Sequence, residues 1–248
     1  MELRRFFAEQ KNKTGNTVII DGDEFIHLAR VLRLGAGDEI IVCFNDGKDN
    51  FAVIKKIEKN FASAEIYRTE YNLCEPGRRI SLFQALIKGE KEDLLIQKAV
   101  ELGVYEIYPF ESEHCTVKIT GGEGKRERLN KIAKEACKQC GRACIAEVKP
   151  FITFNAMLEK LKSFDKVIFA SELEERNSLK DSLSSSPNPA HIALVIGSEG
   201  GFTMEEHKKI VEAGAEPVTL GNRIMRAETA GISLISAVSF YLGEWEKR

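Results

Sequence analysis

Gly197-Ser198-Glu199-Gly200-Gly201-Phe202-Thr203 decides the fold of this chain, together with Leu220-Gly221-Asn222-Arg223-Ile224-Met225-Arg226-Ala227-Glu228-Thr229-Ala230. Each stretch follows a short apolar segment typical of a buried strand and precedes a segment with helical spacing. Two glycine-bearing loops about one βαβ unit apart indicate a parallel α/β sheet. Ligands of such sheets bind at the carboxyl ends of the strands, so both loops are predicted to lie at a ligand site.

The first glycine loop, residues 197–201, belongs to no common phosphate-binding motif. No Gly-Lys-Ser/Thr follows it, as a P-loop requires, and it lacks the Gly-x-Gly-x-x-Gly of dinucleotide-binding proteins. Ser198 does not stand in the Gly-x-Ser-x-Gly order of a hydrolase nucleophile. By itself this loop fits a tight turn as well as a ligand site.

The arginine loop, residues 220–226, carries Arg223 and Arg226, and Glu228 follows two residues later, ahead of an apolar helix. One interpretation is a surface ion pair, which contributes little to stability. The other is the charged part of a ligand site. The neighbouring glycine loop favours the site.

The first seventy residues have the pattern of a small β-barrel with a basic edge. The hairpin signal Asn45-Asp46-Gly47-Lys48 joins two of its strands. A short helix over 24–34 places His27, Arg30 and Arg33 opposite its apolar side. The predicted strands are 17–20, 38–44, 52–57 and 62–67.

After a linker over 74–79 the pattern alternates between strands and helices, which indicates a parallel sheet. Thr203-Met204-Glu205-Glu206 matches a capping box that opens the predicted helix ending at Gly214. A polar loop is predicted over 182–189. The predicted strands are 80–87, 104–110, 166–170, 192–196 and 218–220, and the helices are 91–102, 125–140, 203–214 and 229–242.

Composition limits the class of protein. A chain of 248 residues with net charge −2 has no whole-surface affinity for nucleic acid, although a local basic face would suffice because only contacted phosphates release counterions. No run of 18 apolar residues is present, so we expect no membrane span. The amino terminus lacks the apolar core of a signal peptide, which favours a cytoplasmic protein with reduced thiols.

Two side-chain groups allow more than one interpretation. Cys137, Cys140 and Cys144, with His114-Cys115 upstream, have spacings that a zinc or iron–sulfur site could use. Small buried thiols on a helix are the favoured alternative, and no metal is expected. The basic residues between Lys125 and Arg142 predict either a solvated helix face or an RNA contact.

Several blocks together resemble the RsmE family, knotted (SPOUT-class) methyltransferases that modify a uracil of small-subunit ribosomal RNA. The two loops are similar to its cofactor-binding half-knot. Three other blocks also resemble the family: ALIKG at 85–89, IQKAVELGV at 96–104 and KEACKQCGR at 134–142. RRFF at 4–7 and HLARVLRLGAGD at 27–38 resemble its PUA-like RNA-binding domain. Ser198, Ala227 and Cys140 replace the family's usual proline, threonine and serine, and none of these changes removes a charged group.

The resemblance implies an α/β fold in which a PUA-like β-barrel domain, residues 1–72, precedes a SPOUT-type parallel sheet with a C-terminal trefoil knot, residues 73–248. It implies methyl transfer from S-adenosylmethionine to N3 of a specific uridine in 16S rRNA, by a homodimer acting on the small ribosomal subunit. The closing helix, with Ile232, Leu234, Ile235, Val238 and Phe240, fits burial against a second copy or within one chain.

The resemblance also implies site residues. Arg226 is expected to stabilise charge on the uracil, and Glu228 or Glu199 to accept a proton or orient the arginine. The expected cofactor-binding residues are Ile196, Gly197, Ser198, Gly200, Gly201, Leu220, Gly221, Ile224, Met225 and Arg226. The expected RNA contacts are Arg4, Arg5, Arg30, Arg33, Lys88 and Arg142. The rival hypotheses are an RNA-binding assembly factor without turnover and an α/β enzyme acting on a small nucleotide.

Overall fold

The computed structural model describes residues 3–119, 122–185 and 189–246 of the chain. They divide into two compact units. The first unit comprises Met1–Glu75 and Cys137–Ile145, and the second comprises Pro76–Ala136 and Ala146–Arg248. The segment 137–145 therefore belongs with the first unit, although the sequence pattern placed it among the later strands and helices.

The first unit is built on a six-stranded sheet with the order β1-β4-β5-β6-β3-β2. β1 runs parallel to β4, and the other neighbours are antiparallel. β1 was not predicted as a strand, because its alternation covers only four residues, yet Phe6 is completely buried. The strands are β1 Arg4–Phe7, β2 Lys13–Thr14, β3 Thr17–Asp21, β4 Glu39–Cys43, β5 Lys48–Ile57 and β6 Phe61–Tyr71.

The predicted hairpin and short helix of this unit are confirmed in outline. Asn45 and Gly47 both take positive φ, at 57° and 73°, directly before β5 begins. The helix is α1 Gly22–Ile26, continued by a π-helical stretch over His27–Val31. Leu28 is buried in the core, while Arg30 and Arg33 are exposed. The basic edge predicted from the sequence therefore exists.

The second unit contains an all-parallel sheet with the strand order β10-β8-β7-β12-β11-β13 and with β9 beside β8. This confirms the predicted parallel α/β sheet. The strands are β7 Arg79–Ala85, β8 Glu106–Glu111, β9 Glu147–Val148, β10 Ile152–Thr153, β11 Lys166–Ala170, β12 His191–Ile196 and β13 Glu216–Val218. The helices are α2 Glu90–Glu101, α3 Gly122–Cys140, α4 Phe154–Leu161, α5 Leu179–Ser185, α6 Met204–Glu212 and α7 Ala227–Tyr241.

Four short elements of the second unit were absent from the sequence prediction: β9, β10, α4 and α5. Each has eight residues or fewer, too few for the spacing of apolar residues to repeat clearly. The predicted polar loop over 182–189 is corrected in part, because α5 extends to Ser185. Residues 186–188 of that loop lie outside the described residues.

The core of the second unit lies on both faces of the central strands β7 and β12. His191–Ile196 is buried from Ile192 onward, as expected for a strand covered on both faces. Aromatic rings fill one side, where Phe83 stacks on Tyr108 and Phe110 stacks on Phe202. Across the described ranges, every helix is too short or too polar to traverse a lipid bilayer.

Candidate active site

The two loops singled out from the sequence both follow strands at one edge of the second unit's parallel sheet. The first glycine loop starts directly after β12, whose last residue, Ile196, pairs with Gln84 on β7. The arginine loop starts two residues after β13 ends at Val218. Carboxyl ends of parallel strands meet at one edge of a sheet, which is where such sheets bind ligands.

The first glycine loop needs its glycines for conformation and for space. Gly201 has φ of 67°, and its N–H donates to the Ser198 carbonyl over 3.0 Å. An ideal Cβ on Gly197 would lie 3.0 Å from the Phe202 ring. A Cβ on Gly200 would lie 2.8 Å from Cβ of His114, closer than real contacts allow. The loop is therefore a tight turn pressed against its neighbours.

Two side chains from neighbouring strands bond this loop, and neither was a predicted site residue. Nε2 of Gln84, at the end of β7, donates to the carbonyls of Gly197 over 3.1 Å and Ala85 over 2.9 Å. Nδ1 of His114, in the loop after β8, lies 2.9 Å from the carbonyl oxygen of Gly200. Only the neighbouring positions of β7, β8 and β12 in the sheet could have pointed to them.

Charged residues surround the same loop. Lys91 Nζ lies 3.5 Å from Oε1 of Glu199, in a pair exposed enough to contribute about 1 kcal/mol at most.

The predicted capping box at the start of α6 is confirmed, because Glu206 accepts from the Thr203 N–H and donates its own N–H to Oγ1 of Thr203. The other Glu206 oxygen accepts from the N–H of Glu113 over 2.8 Å, which ties α6 to the β8 loop.

The arginine loop is turned by Gly221, which has φ of 93° and donates its N–H to Oγ1 of Thr219 over 3.1 Å. Arg223 and Arg226 are exposed, and within the described residues neither lies within 4.0 Å of a carboxylate. The alternative of a surface ion pair is therefore wrong. Ile224 was predicted to be an apolar wall of the cofactor site. Its side chain is 85 % exposed and therefore does not pack against the rest of this chain.

Three buried polar atoms near the loops have no hydrogen-bond partner among the described residues: Oε1 of Gln84, Oγ of Ser198 and Oε2 of Glu228. Glu228 is only 8 % exposed and lies in the first turn of α7, where the helix dipole favours negative charge. One turn later, an ideal Cβ on Gly231 would lie 3.4 Å from Oε1 of Gln84. Buried polar atoms rarely stay unpaired, so this cluster suits a polar ligand.

The predicted RNA contacts divide into exposed and buried side chains. Arg4, Arg30, Arg33 and Lys88 are exposed. Arg5 is not, because its guanidinium donates to Asp49 and to Sγ of Cys43 and its side chain is only 9 % exposed. Burial alone would lower the pKa of Arg5, but the bonds to Asp49 and Cys43 raise it above its usual value.

Arg142 is also buried, at 2 % exposure, and its guanidinium lies 3.2 Å from a Glu75 oxygen. A side chain enclosed in this way is not presented to a phosphate backbone. The structure therefore corrects the prediction that Arg5 and Arg142 contact RNA. Both ion pairs instead connect separate segments of the first unit.

The basic residues of α3 form a solvated face only in part: Arg128 and Lys131 are exposed, whereas other members of the run are half-buried. Lys125 Nζ lies 2.8 Å from Oε2 of Glu92, and Arg128 pairs with Asp93. Lys138 and Glu24 form a 2.8 Å pair whose side chains are less than a tenth exposed. Much of the basic run therefore neutralises carboxylates of the same chain.

The cysteines are placed as small helix and core side chains. Cys43, Cys115 and Cys137 are buried, and Sγ of Cys137 lies 3.3 Å from the carbonyl of Cys144. In the ranges 3–119, 122–185 and 189–246, no group of three or more His, Cys, Asp or Glu side chains is arranged to bind a metal ion.

Comparison with known proteins gives matches along the whole chain. Residues 74–239 match the model of an RNA methyltransferase domain, and residues 20–67 match that of an RNA methyltransferase PUA domain. Ribosomal RNA small subunit methyltransferase E of Bacillus subtilis is 32 % identical, over 96 % of this chain and 96 % of that protein.

Solved structures agree. Ribosomal RNA small subunit methyltransferase E from Neisseria gonorrhoeae, bound to S-adenosyl methionine, superposes with a TM-score of 0.86 at 33 % identity, covering 97 % of this chain and 98 % of that one. A methyltransferase from Legionella pneumophila, in complex with the bound cofactor SAM, has a TM-score of 0.87 at 27 % identity, covering 97 % of this chain and 98 % of that one.

Proposed function

This chain belongs to the ribosomal RNA small subunit methyltransferase E family, and from that premise we propose that it methylates N3 of a specific uridine in 16S rRNA, with S-adenosylmethionine as the donor. The observation that supports this most directly is the pair of loops at one sheet edge, with three unpartnered buried polar atoms beside them. The match covers nearly the full length of both chains. It therefore supports the same activity for the whole protein rather than the presence of a single shared domain.

The residues at the sheet edge fit this cofactor. Oε1 of Gln84 and Oε2 of Glu228 are acceptors, and Oγ of Ser198 both donates and accepts. Such atoms suit the ammonium, amino and hydroxyl groups of the donor molecule. The main chain of the two loops would bind the rest, with Ile196, Leu220, Ile224 and Met225 as apolar contacts. When bound, the cofactor supplies a methyl group already activated on a sulfonium.

Arg226 is our candidate for stabilising the uracil. N3 loses its imide proton before or during transfer, and negative charge develops on the neighbouring oxygens. An exposed guanidinium that pairs with no carboxylate of the described residues is available to bond those oxygens, as oxyanion donors do. Glu199 or Glu228 takes the proton. Glu199 is the more accessible of the two, and Lys91 fixes its position.

The RNA is bound, in this proposal, by a PUA-like domain over residues 1–72 that precedes the methyltransferase domain over 73–248. The exposed side chains of Arg4, Arg30 and Arg33 supply phosphate contacts from this domain, and the exposed Lys88 supplies one from the methyltransferase domain. Such contacts set position and affinity. The target uridine is drawn out of its stack to reach the sulfonium, because N3 is otherwise engaged in the RNA helix.

We also propose that the chain forms a homodimer with a C-terminal trefoil knot. Within one chain α7 buries Leu234, Ile235 and Val238, whereas Phe240 is 69 % exposed and its ring contacts Trp245, itself 54 % exposed. An exposed aromatic pair at the end of an apolar helix favours an interface. Light scattering should give twice the chain mass, and Phe240→Ser should lower it to one chain. Because the substrate is the small ribosomal subunit, we place the enzyme in the cytoplasm.

The deciding experiment is methyl transfer from labelled S-adenosylmethionine to small ribosomal subunits that lack the modification, with free 16S rRNA in parallel. Nucleoside analysis should find 3-methyluridine. Cofactor binding without transfer to either RNA would indicate a different RNA substrate. Loss of both binding and transfer would favour a non-catalytic RNA-binding factor instead.

A further inference from the structure

We infer that Gln84 and His114 are positioning residues that fix the first glycine loop in the conformation that receives the cofactor. The inference rests on the proposed function, because it concerns the same site. Both residues lie outside the two loops, on β7 and in the loop after β8. Each bonds a different carbonyl of the first glycine loop.

The Gln84 side chain acts from within the core. It is 4 % exposed, and its amide nitrogen donates to the carbonyls of Gly197 and Ala85. This joins the ends of β7 and β12 beyond their last paired residues, Gln84 and Ile196. A buried amide that donates twice is expensive to replace, because both carbonyls would lose this donor.

Gln84 also touches the beginning of α7. An ideal Cβ on Gly231 would lie 3.4 Å from Oε1 of Gln84 and 3.0 Å from Cδ1 of Leu95. The absence of a side chain at 231 therefore leaves room for the amide next to the helix that carries Glu228. One side chain thus contacts the first glycine loop and the helix that follows the arginine loop.

His114 acts from the surface side. A carbonyl oxygen can only accept, so the 2.9 Å contact with Gly200 requires the proton on Nδ1 of the imidazole. Additional protonation of Nε2 leaves the hydrogen bond from Nδ1 to the Gly200 carbonyl in place. The backbones are also in close contact, since a Cβ on Gly200 would lie 2.8 Å from Cβ of His114 and 3.3 Å from its carbonyl oxygen.

The consequence is a loop ordered before its ligand arrives. The carbonyls of Gly197, Ser198 and Gly200 all accept hydrogen bonds from this chain, the middle one from the N–H of Gly201. A loop fixed in this way loses little conformational entropy on binding, so the bonds contribute to cofactor affinity rather than to the methyl-transfer step.

The test uses matched pairs of substitutions in the full chain. Gln84→Met keeps the length of the side chain and removes the donor, whereas Gln84→Glu keeps the shape but turns the donor into an acceptor. His114→Ala removes the donor, and His114→Asn places an amide nitrogen close to the position of Nδ1. His207→Asn is the control, because Nε2 of His207 bonds Oγ of Ser171 and not a carbonyl of the first glycine loop.

The readouts are the calorimetric Kd for S-adenosylmethionine, kcat and KM with ribosomal subunits, and the unfolding temperature. Loss of either donor should raise Kd and the KM for the cofactor about tenfold, as expected for the loss of an intramolecular hydrogen bond, and leave kcat at saturation within about threefold. His114→Asn should restore the wild-type Kd, and His207→Asn should not change it.

Two results would overturn the inference: an unchanged Kd in both Gln84→Met and His114→Ala, or a loss of kcat at an unchanged Kd. If Gln84→Met fails to fold, the exposed His114 pair decides alone. Absence of cofactor binding by the wild-type protein would instead contradict the proposed function, which separates the two failures.

Discussion

Arg226 is exposed, whereas Glu228, only two residues further along the chain, is 8 % exposed. Arg226 precedes α7, and its carbonyl accepts from the N–H of Ala230 over 2.8 Å. Glu228 lies in the first turn of that helix. The start of the helix thus separates the cation from the carboxylate, and no ion pair joins them in the described residues. We therefore expect the hydrogen-bond donors of Arg226 to be available to a substrate.

Arg226→Ala should lower kcat by about 100-fold or more, as loss of an oxyanion donor does, while most of the affinity for S-adenosylmethionine is kept. Arg223→Ala is the matched control in the same loop and should cost much less kcat. Steady-state kinetics and calorimetry measure the two effects. Equal losses of kcat and cofactor affinity would make Arg226 a binding residue instead.

Replacing both Arg30 and Arg33 by Ala should weaken RNA binding and make its salt dependence shallower. Two fewer phosphate contacts should reduce the slope of log K against log salt by about 2. Lys59→Ala, an exposed lysine in the turn between β5 and β6, is the control. An unchanged affinity and slope in the double variant would remove these arginines from the RNA-contact surface.

The thiols should differ sharply in reactivity. Burial raises the pKa of the Cys43 thiol to about 12, which outweighs the opposing effect of Arg5, whereas Cys74 is exposed. Since the thiolate is the reactive form, iodoacetamide at pH 8 should modify Cys74 within minutes and Cys43 only after denaturation. Peptide mass spectrometry identifies the sites. Labelling of Cys43 in the folded protein would contradict this placement.

The ionisation of Glu216 should make the free energy of unfolding depend on pH below the usual titration range of a glutamate. Burial alone would raise the pKa of this carboxyl, but hydrogen bonds from Lys166, Asn177 and Ser182 lower it below the ordinary 4.5. A lowered folded-state pKa adds stability above the unfolded pKa, and this stability is lost as pH falls through the folded pKa.

Urea unfolding of wild type and Glu216→Gln between pH 3 and pH 6 tests this directly. The free energy of unfolding of the wild type should fall below about pH 4.5, and the variant should show a flatter profile over that range. Equal profiles for the two proteins would show that Glu216 does not carry this dependence.

Local patterns along the chain predicted much of the fold. β11 occupies the predicted residues, Lys166–Ala170, and the capping box at Thr203 forms as expected. The capping box depends on neighbours within four residues, and the apolar run that indicates β11 lies within one short segment, so both signals can be read from the sequence order. The short elements α4 and α5 were missed because tertiary packing, rather than a repeated pattern, makes them helical.

The two glycine-bearing loops, the alternation of strands and helices that indicates a parallel sheet, and the exposed basic residues after α1 could be predicted from the sequence, because each signal consists of short local patterns. Only the tertiary structure decided which side chains bond those loops, since Gln84 and Gly197 are 113 residues apart and His114 and Gly200 are 86 apart. It also decided that Arg5 and Arg142 are buried against Asp49 and Glu75. The physical reason is that strand order and register bring distant residues together, and only that arrangement determines whether an arginine faces solvent or a buried carboxylate.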